Sequence, residues 1–287
     1  MRIGVTIFAT DQSMNPIELA REAEARGFHA LYVPEHTHIP VSRRTPPPTG
    51  ENELAEEYKR TLDPYVTLAA AAGVTSRIRL GTGIALVAQH DPIVLAKTLA
   101  TLDFLSRGRL VLGIGYGWNV DEMESHGVDA RRRRAIAREK MLAMQALWTH
   151  DVAEYRGEFV RFEPSWQWPK PVQKPRPRVW IGGGAGPILF SHIAEYADGW
   201  MPIGGAGLQA ALPELRRAFE ARGRDPAALD VVPMGVLPDA AKLAYYASIG
   251  VTETVLRLPS AARDVVMPVL DEYARFLDPP SFGGGGS

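Results

Sequence analysis

Short runs of aliphatic and β-branched residues alternate with longer amphipathic segments along most of the 287 residues. This alternation limits the fold more than any other feature, because such runs indicate buried strands and the spacing between them indicates helices. The predicted strands cover 3–8, 30–33, 78–81, 110–114, 178–181, 199–202, 231–236 and 253–258, and the clearest helices 62–72, 91–106, 187–197, 208–222, 239–248 and 262–277. Eight strands, each followed by a helix, predict an α/β fold of the (β/α)8 TIM-barrel type; a doubly wound open sheet is the competing architecture.

Two helices carry explicit signals at their ends. Asn15 and Asp91 are each followed by proline, and such a pair at the N-cap and first helical position is a common helix start. Gly27 fits the left-handed conformation that ends many helices. These residues predict one helix between 15 and 27 and another that begins at 91.

Two segments interrupt the alternation. Residues 36–61 form an insertion after strand two, and residues 151–177, which are rich in Pro and Trp, form another after strand four and its helix. We expect both to leave from or near the carboxyl end of the barrel, where active-site loops are built. Residues 1–280 are then a single barrel domain, and the Gly/Ser-rich tail at 281–287 is a flexible addition to it.

Composition excludes several classes of function. The 32 Lys and Arg residues nearly balance the 33 Asp and Glu residues, so a net charge of −1 gives no global attraction to nucleic acid or to an anionic membrane. No run approaches the ~18 apolar residues that span a bilayer, and the first residues do not resemble a signal peptide. Cysteine is absent, which excludes disulfides and thiolate chemistry and is typical of a cytoplasmic protein.

The end of strand two carries the side chains best suited to proton transfer. Glu35 and His36 follow this strand, and His38 comes two residues later. An imidazole titrates near neutral pH, so a histidine here can donate or accept a proton; the alternative is that it only bonds a loop carbonyl. The two histidines form a metal pair only if a third ligand joins them, and we expect no metal. His36, which is nearer the strand, is the expected catalytic residue.

Glycines follow strand four in an alternating series. Gly115 and Gly117 leave space above the barrel for a flat ligand, with Tyr116 and Trp118 as its walls. The series resembles part of a dinucleotide-binding fingerprint, but no helix is predicted where that motif requires one.

A second glycine-rich segment follows strand five. Gly182, Gly183 and Gly184 precede a predicted helix, whose free N–H groups bind anions when glycine lets a phosphate approach. The segment lacks the Lys-Ser/Thr pair of a nucleotide-hydrolysing loop. A phosphate-binding loop is the favoured interpretation, and a glycine-rich turn without a ligand is the alternative.

Taken together, several motifs make the chain similar to the luciferase-like monooxygenase superfamily, and within it to the oxidoreductases that use the deazaflavin coenzyme F420. The resemblance extends to about residue 277. Its motifs are Val33-Pro34-Glu35-His36-Thr37-His38-Ile39-Pro40, Leu80-Gly81-Thr82-Gly83-Ile84, Asp103-Phe104-Leu105-Ser106-Arg107-Gly108-Arg109-Leu110, Leu112-Gly113-Ile114-Gly115-Tyr116-Gly117-Trp118 and Tyr196-Ala197-Asp198-Gly199-Trp200.

The resemblance implies specific roles for these residues. The family's acidic residue and histidine fall on Glu35 and His36, with Glu35 tuning or orienting the histidine. Its non-proline cis peptide, which backs the deazaflavin ring, falls on Gly83-Ile84. Its phosphate-holding glycines fall on 182–184. Some relatives have a catalytic glutamate at the position of Trp118, so the tryptophan argues against the sugar-phosphate dehydrogenation that those relatives perform.

Three functions are compatible with these features. The leading hypothesis is an F420-dependent oxidoreductase that moves a hydride between C5 of the cofactor and a small organic substrate. The second is an FMN-dependent monooxygenase of the same superfamily, and the third is a flavin-binding barrel without catalytic activity. The resemblance also implies a homodimer, to which the alanines at 69–72 and the aliphatic segment 95–105 would contribute apolar surface.

Overall fold

The computed structural model describes residues 1–46 and 53–277, and one large parallel sheet forms its centre. The strands are β1 Arg2–Thr6, β2 Ala30–Val33, β3 Arg79–Ala85, β4 Leu110–Ile114, β5 Ala153–Arg156, β6 Arg161–Ser165, β7 Arg178–Gly182, β8 Gly199–Met201, β9 Asp230–Val231, β10 Met234–Val236 and β11 Glu253–Arg257. The helices are α1 Pro16–Arg26, α2 Pro64–Ala72, α3 Pro92–Leu105, α4 Val120–Ser125, α5 Arg133–Thr149, α6 Pro187–Tyr196, α7 Leu208–Glu220, α8 Ala240–Ser248 and α9 Arg263–Ala274. The expected tail at 281–287, the last three residues of the expected domain and part of the 36–61 insertion lie outside the described residues.

The large sheet has the order β10-β11-β1-β2-β3-β4-β7-β8-β9. Its end strands β9 and β10 are separated by only two residues, so the sheet curls back on itself. Hydrogen bonds join this stretch to both neighbours: Val232 N–H donates to Trp200 O (2.8 Å), and Val255 N–H donates to Pro233 O (3.0 Å). The α/β fold with a curled parallel sheet that the alternation predicts is therefore confirmed, and we call this sheet the barrel.

The seventh predicted strand, 231–236, differs in detail because it is divided into β9 and β10. Pro233 lies between the two pieces and has no N–H to donate to a neighbouring strand. Gly235 adopts a φ of +74°, and the register with β11 shifts between Met234 and Val236. These residues produce an irregularity that the run of apolar residues does not reveal.

The helices lie outside the sheet and bury their apolar faces against it. Their predicted starts are confirmed: Asn15 Oδ1 accepts the N–H of Ile17 (2.9 Å), and Asp91 Oδ1 accepts that of Ile93 (2.9 Å). Gly27 ends α1 with a φ of +90°, as predicted. No helix within 1–46 or 53–277 is both long and apolar enough to cross a membrane.

The second insertion lies in a different place from the one expected. Residues 151–177 follow α5 and form an antiparallel hairpin, β5–β6, followed by a segment that runs along the outer side of α3. Gln167 Nε2 donates to Ile93 O (3.0 Å), and Gln173 Nε2 donates to Asp103 Oδ1 (2.7 Å). The insertion therefore covers a helix rather than leaving from the carboxyl end of a strand.

Buried charges fill the barrel near the amino ends of its strands. Glu253 is fully buried and accepts a hydrogen bond from the Tyr32 hydroxyl (2.9 Å). Asp230 accepts from Trp180 Nε1 (3.1 Å) and forms an ion pair with Arg178 (2.6 Å). Burial raises the pKa of Glu253 to about 7, because the charged carboxylate loses its hydration. We call this group the amino-end charge cluster.

Candidate active site

His36 lies just beyond the carboxyl end of β2 and is paired with a carboxylate from another connection. Its Nδ1 lies 2.9 Å from Oε2 of Glu122 on α4. The His36 side chain is 7% exposed and that of Glu122 is 1% exposed, so the pair is shielded from water. Asn119 caps α4 by accepting the Glu122 N–H through its side chain (3.4 Å). This cap begins the short helix that carries Glu122 towards the histidine.

The chemistry of this pair follows from its donors and acceptors. An ionised carboxylate only accepts hydrogen bonds, so with Glu122 ionised the proton on Nδ1 of His36 is donated to it, and Nε2 is left to face a substrate. The second oxygen of Glu122, Oε1, is buried and has no hydrogen-bond partner among the described residues. Among the described residues, His36 is therefore the one side chain that forms a hydrogen bond with this carboxylate. The pair is suited to taking up and releasing a proton.

Three aromatic rings, which we call the aromatic wall, surround His36. The ring centroid of Tyr58 lies 5.3 Å from that of His36 and 4.7 Å from that of Phe8. The Trp118 ring lies 5.9 Å from His36 and 6.1 Å from Tyr58. Phe8, Tyr58 and Trp118 are each half-buried, so they offer apolar surface beside the histidine. The expected position of Trp118 at the wall of a site fits this arrangement.

Glu35 does not contact His36, contrary to the orienting role that the resemblance implies. Its Oε1 lies 2.6 Å from Nε2 of His90, and its Oε2 accepts the backbone N–H of Leu86 (2.6 Å) and the Tyr65 hydroxyl (3.3 Å). The backbone N–H of Glu35 donates to Ile84 O (3.2 Å). The Glu35 side chain points away from that of His36, as expected in an extended backbone. The hydrogen bonds that Glu35 forms with Ile84 O and the Leu86 N–H instead fix the segment that contains Ile84.

The segment 83–84 forms an apolar floor at the mouth of the barrel. The Gly83-Ile84 peptide bond is cis, as the resemblance implies. The Ile84 side chain occupies the space that two glycines leave open: a Cβ added to Gly115 would lie 2.5 Å from Cδ1 of Ile84, and one added to Gly182 would lie 3.1 Å from its Cγ2. The space expected above Gly115 thus holds the Ile84 side chain, which is itself partly exposed.

The predicted glycine loop follows β7 and leads into α6, as expected. Gly183 and Gly184 are exposed, and a Cβ added to Gly184 would meet nothing within 4 Å. Trp200 Nε1 donates to Gly183 O (2.9 Å), which holds the loop from the barrel side. The backbone of Gly183 and Gly184 is therefore open to solvent, although the first residue of α6, Pro187, has no N–H to offer an anion.

Tyr116 and Gly117 lie apart from the aromatic wall. The Tyr116 hydroxyl lies 2.8 Å from Nδ1 of His192 on α6, and the Arg134 guanidinium lies over its ring at 5.6 Å. Burial raises the pKa of Tyr116 and lowers that of His192. Gly117 provides a turn, with a φ of +80°. Tyr116 thus packs between α5 and α6, and the two predicted walls of the ligand space are not brought together.

His38 lies on the exposed rim. Thr37 Oγ1 lies 3.2 Å from Nδ1 of His38 and 2.6 Å from Nε2 of His126, and the two histidine rings are 5.3 Å apart. The structure thus separates His38 from the buried His36, whereas the alternation of an extended backbone predicts that both face the mouth. Within the described ranges, no three His, Cys, Asp or Glu side chains form a group that could hold a metal ion.

Glu122, His90 and Tyr58 complete the site but were not expected from the sequence. Glu122 is 86 residues from His36, and His90 is 55 residues from Glu35. Only their position in the chain could have indicated these residues. Each of the three lies in a connection that follows a barrel strand, where active-site residues are found. Nothing in the local sequence distinguishes them from other rim residues.

Comparison with known proteins places this geometry in a family. Residues 5–238 match the family model described as luciferase-like monooxygenase. An uncharacterised protein of Mycobacterium tuberculosis (strain ATCC 25618 / H37Rv) is 47% identical over 284 residues, which cover 96% of this chain and 99% of that protein.

Relatives with named activities are more distant. An F420-dependent glucose-6-phosphate dehydrogenase of Kineococcus radiotolerans (strain ATCC BAA-149 / DSM 14245 / SRS30216) is 32% identical over 58% of this chain and 50% of its own length. The oxygenase component of a flavin-dependent trigonelline monooxygenase of Acinetobacter baylyi (strain ATCC 33305 / BD413 / ADP1) is 32% identical over 58% of this chain and 41% of its own length.

Among solved structures, an F420-dependent secondary alcohol dehydrogenase in complex with an F420–acetone adduct is similar in fold. It has a TM-score of 0.76 and 17% identity, and the match covers 96% of this chain and 98% of that chain. The family model and the similarity of these relatives agree with the motifs of the sequence. The chain belongs to the luciferase-like monooxygenase family.

Proposed function

We propose that the protein is an F420-dependent oxidoreductase that transfers a hydride between C5 of the deazaflavin and a carbon of an organic alcohol or ketone. The observation that carries this proposal is the buried pair of His36 and Glu122. His36 follows Glu35, whose backbone N–H donates to Ile84 O. Reduction of a carbonyl carbon by hydride requires a proton on the oxygen, and oxidation of an alcohol releases one. A shielded histidine–carboxylate pair at the mouth of a barrel is suited to that proton transfer.

The residues present fit a planar cofactor with a phosphate. Ile84 lies in a cradle that a Cβ on Gly115 or Gly182 would fill, and it offers an apolar surface to one face of a ring. Gly183 and Gly184 leave backbone N–H groups open for a phosphate at the start of α6. When bound, the deazaflavin supplies the two-electron hydride chemistry at its C5.

The protein's own residues supply the remaining functions. His36 Nε2 takes the hydroxyl proton of an alcohol, or returns a proton to the oxygen of a ketone, while Glu122 holds Nδ1 and stabilises the charged ring. Glu35 keeps Ile84 in place through Ile84 O and the Leu86 N–H. The aromatic wall shields the pair from water, which strengthens its electrostatic interaction.

Curated relatives support a reaction at an alcohol or a ketone. The Kineococcus protein is a dehydrogenase, and a phthiodiolone/phenolphthiodiolone dimycocerosates ketoreductase of Mycobacterium kansasii is 29% identical over 75% of this chain and 60% of its own length. The Acinetobacter relative favours a second candidate, an FMN-dependent monooxygenase.

The test is an anaerobic titration of the full-length protein with oxidised F420 and, in parallel, with FMN, followed by cofactor fluorescence. We expect F420 to bind at least about tenfold more tightly, and the bound cofactor to be reduced by members of a panel of secondary alcohols. Micromolar FMN binding without detectable F420 binding would replace the proposal with the monooxygenase. Binding without any turnover would favour a flavin-binding barrel without catalytic activity.

We also propose that the protein is a homodimer that uses the outer surface of α2 and α3. Val66 on α2 and Val94, Phe104 and Leu105 on α3 are all more than half exposed, which is costly for large apolar side chains on a free surface. Leu95, Ala96 and Leu99 of the expected apolar segment, and Ala71 and Ala72 of the expected alanines, are instead buried. Light scattering should give the wild type a mass of twice the 31.4 kDa of one chain. It should give the variant Phe104→Glu the mass of a single chain.

A further inference from the structure

We propose that the site selects an uncharged substrate with an aromatic ring next to the reacting carbon, bound against the aromatic wall formed by Phe8, Tyr58 and Trp118. This inference rests on the proposed function, because it names the substrate class of the same site. It is carried by two observations: half-buried aromatic rings beside the proton-transfer pair, and the pairing of Lys59, Arg60 and Arg257, which lie on or against the segment that carries Tyr58, with carboxylates.

The wall offers a surface that an aromatic substrate complements. The ring planes of Tyr58 and Trp118 are 86° apart, which is an edge-to-face arrangement. The ring centroids lie 5.3 Å (Tyr58) and 5.9 Å (Trp118) from that of His36. Edge-to-face and offset contacts are favourable geometries for aromatic pairs, so a further ring gains such contacts without moving the wall. Because both rings contact His36, a substrate bound there has its neighbouring carbon close to the proton-transfer residue.

The wall is also held in place before any substrate binds. The segment 53–62 that carries Tyr58 is attached to the connection after β1: Leu62 N–H donates to Ala9 O (2.8 Å), and Thr10 forms a β-bridge with Thr61. Arg60 adds an ion pair with Asp11 (2.9 Å). A surface that is already ordered loses little conformational entropy on binding, so its contacts contribute more fully to affinity.

Charge around the wall argues against an anionic substrate. Lys59 forms an ion pair with Glu56 (2.6 Å), Arg60 with both Glu56 (3.1 Å) and Asp11, and Arg257 with Glu57 (3.3 Å). In the described segment 53–62 and at Arg257, each cation thus already faces a carboxylate. The buried carboxylate of Glu122 lies behind His36 and repels a second negative charge. A phosphate or carboxylate group beside Tyr58 would therefore meet Lys59, Arg60 and Arg257 already paired, and would lose hydration next to the Glu122 carboxylate.

The test compares three probes with F420-loaded protein: 1-phenylethanol, 1-cyclohexylethanol and glucose 6-phosphate. We expect kcat/KM for 1-phenylethanol to exceed that for 1-cyclohexylethanol by about 3- to 10-fold, the value of an aromatic pair beyond its buried area. We expect it to exceed the value for glucose 6-phosphate by more than about 100-fold. Equal values for the two neutral alcohols, or a preference for the sugar phosphate, would overturn the inference.

Three variants locate the effect at the wall. Trp118→Leu and Tyr58→Leu should raise KM for 1-phenylethanol by about 10-fold, with a smaller change in kcat, and should abolish its advantage over 1-cyclohexylethanol. Trp166→Leu is the matched control, because Trp166 is 79% exposed on the segment that follows β6. The inference is wrong if Trp166→Leu changes the ratio of the two alcohols as much as Trp118→Leu does.

A binding measurement separates this inference from the proposed function. Saturation-transfer NMR with acetophenone reports contact with the protein whether or not turnover occurs. A signal that is present in the wild type and in Trp166→Leu but lost in Trp118→Leu supports the aromatic site even if no alcohol is oxidised, in which case only the proposed function fails. Absence of the signal from the wild type, or equal signals in all three proteins, overturns the inference.

Discussion

Both ends of the barrel bury carboxylates, but the two ends surround them with different partners. At the amino end, Asp230 and Glu253 face arginines and the Tyr32 and Trp180 side chains. His29 also lies 3.7 Å from Glu253, but burial lowers the pKa of His29 to about 4, so this ring is neutral at neutral pH. At the carboxyl end, Glu122 and Glu35 face the imidazoles of His36 and His90, in connections that reach the surface. The difference lies in whether the partner can change its charge near neutral pH.

An arginine stays charged under all ordinary conditions, so the pair of Arg178 and Asp230 can only stabilise or destabilise the fold. A histidine exchanges its proton near pH 7, so the pair of His36 and Glu122 can take part in a reaction. Burial of a carboxylate alone therefore does not mark an active site in this protein. The pairing with histidine, together with the position after a barrel strand, does.

The largest effect that this comparison predicts is at His36. His36→Ala should lower kcat by about 10²- to 10⁴-fold, because a positioned proton donor or acceptor is lost, while the Kd for the cofactor changes much less. Steady-state kinetics over a pH series measures both. His38→Ala is the control, since His38 lies on the exposed rim. Turnover and a pH profile that survive His36→Ala unchanged would exclude this histidine from the mechanism.

Glu253→Gln probes the opposite end and should alter stability rather than turnover. The pKa of Glu253 is raised to about 7 by burial, from a usual value of 4.5, so the folded protein retains a proton that the unfolded chain releases. The wild type should therefore lose about 3 kcal/mol of unfolding free energy relative to the variant as pH rises from below 4.5 to above 7. Chemical denaturation at several pH values measures this, and a difference that does not vary with pH would contradict it.

The same amide substitution at the carboxyl end should alter turnover rather than stability. Glu122→Gln keeps the shape of the side chain but removes the charge that stabilises protonated His36, so kcat should fall by about 10- to 100-fold. If Glu122→Gln and Glu253→Gln have equal effects on kcat, the distinction between the two ends does not hold.

The smallest predicted effect concerns the Ile84 floor. Gly115→Ala places a Cβ 2.5 Å from Cδ1 of Ile84, so that side chain must shift, and we expect the Kd for the cofactor to rise about 10-fold. Gly73→Ala is a suitable control, because its added Cβ would lie 3.5 Å from Ala70 O, an ordinary contact. Fluorescence titration compares the variants. Equal Kd values for Gly115→Ala and the wild type would show that the floor does not contact the cofactor.

Local signals in the sequence were sufficient for most of the fold. The N-caps Asn15 and Asp91 and the terminator Gly27 act within a few residues, so the helix boundaries follow from them. The β5–β6 hairpin was missed because its strands are short and largely polar, and its turn is held from a distance: Glu139 on α5 accepts the N–H groups of Glu158, Phe159 and Val160.

The site was predictable in position but not in pairing. His36 follows directly from the end of β2, and the glycines at 182–184 follow from the start of α6. The partners of His36 and Glu35 depend on how the connections after β2, β3 and β4 fold over one another, and no periodicity records that. Adjacent residues such as Glu35 and His36 are easily taken for a pair, although an extended backbone turns their side chains apart.

The hydrogen bond from Trp200 to Gly183 O gives the glycine loop its own optical reporter. Trp200 is buried, so a water-borne quencher such as iodide should spare its emission while removing that of exposed Trp166. Trp148 and Trp180 are equally buried but donate to Ala96 O and to Asp230, away from the loop, so they give a constant background. In Trp118→Leu, which removes the half-buried ring beside His36, the emission that remains under the quencher therefore records events at the loop, and the kinetics of ligand arrival can be followed without any label.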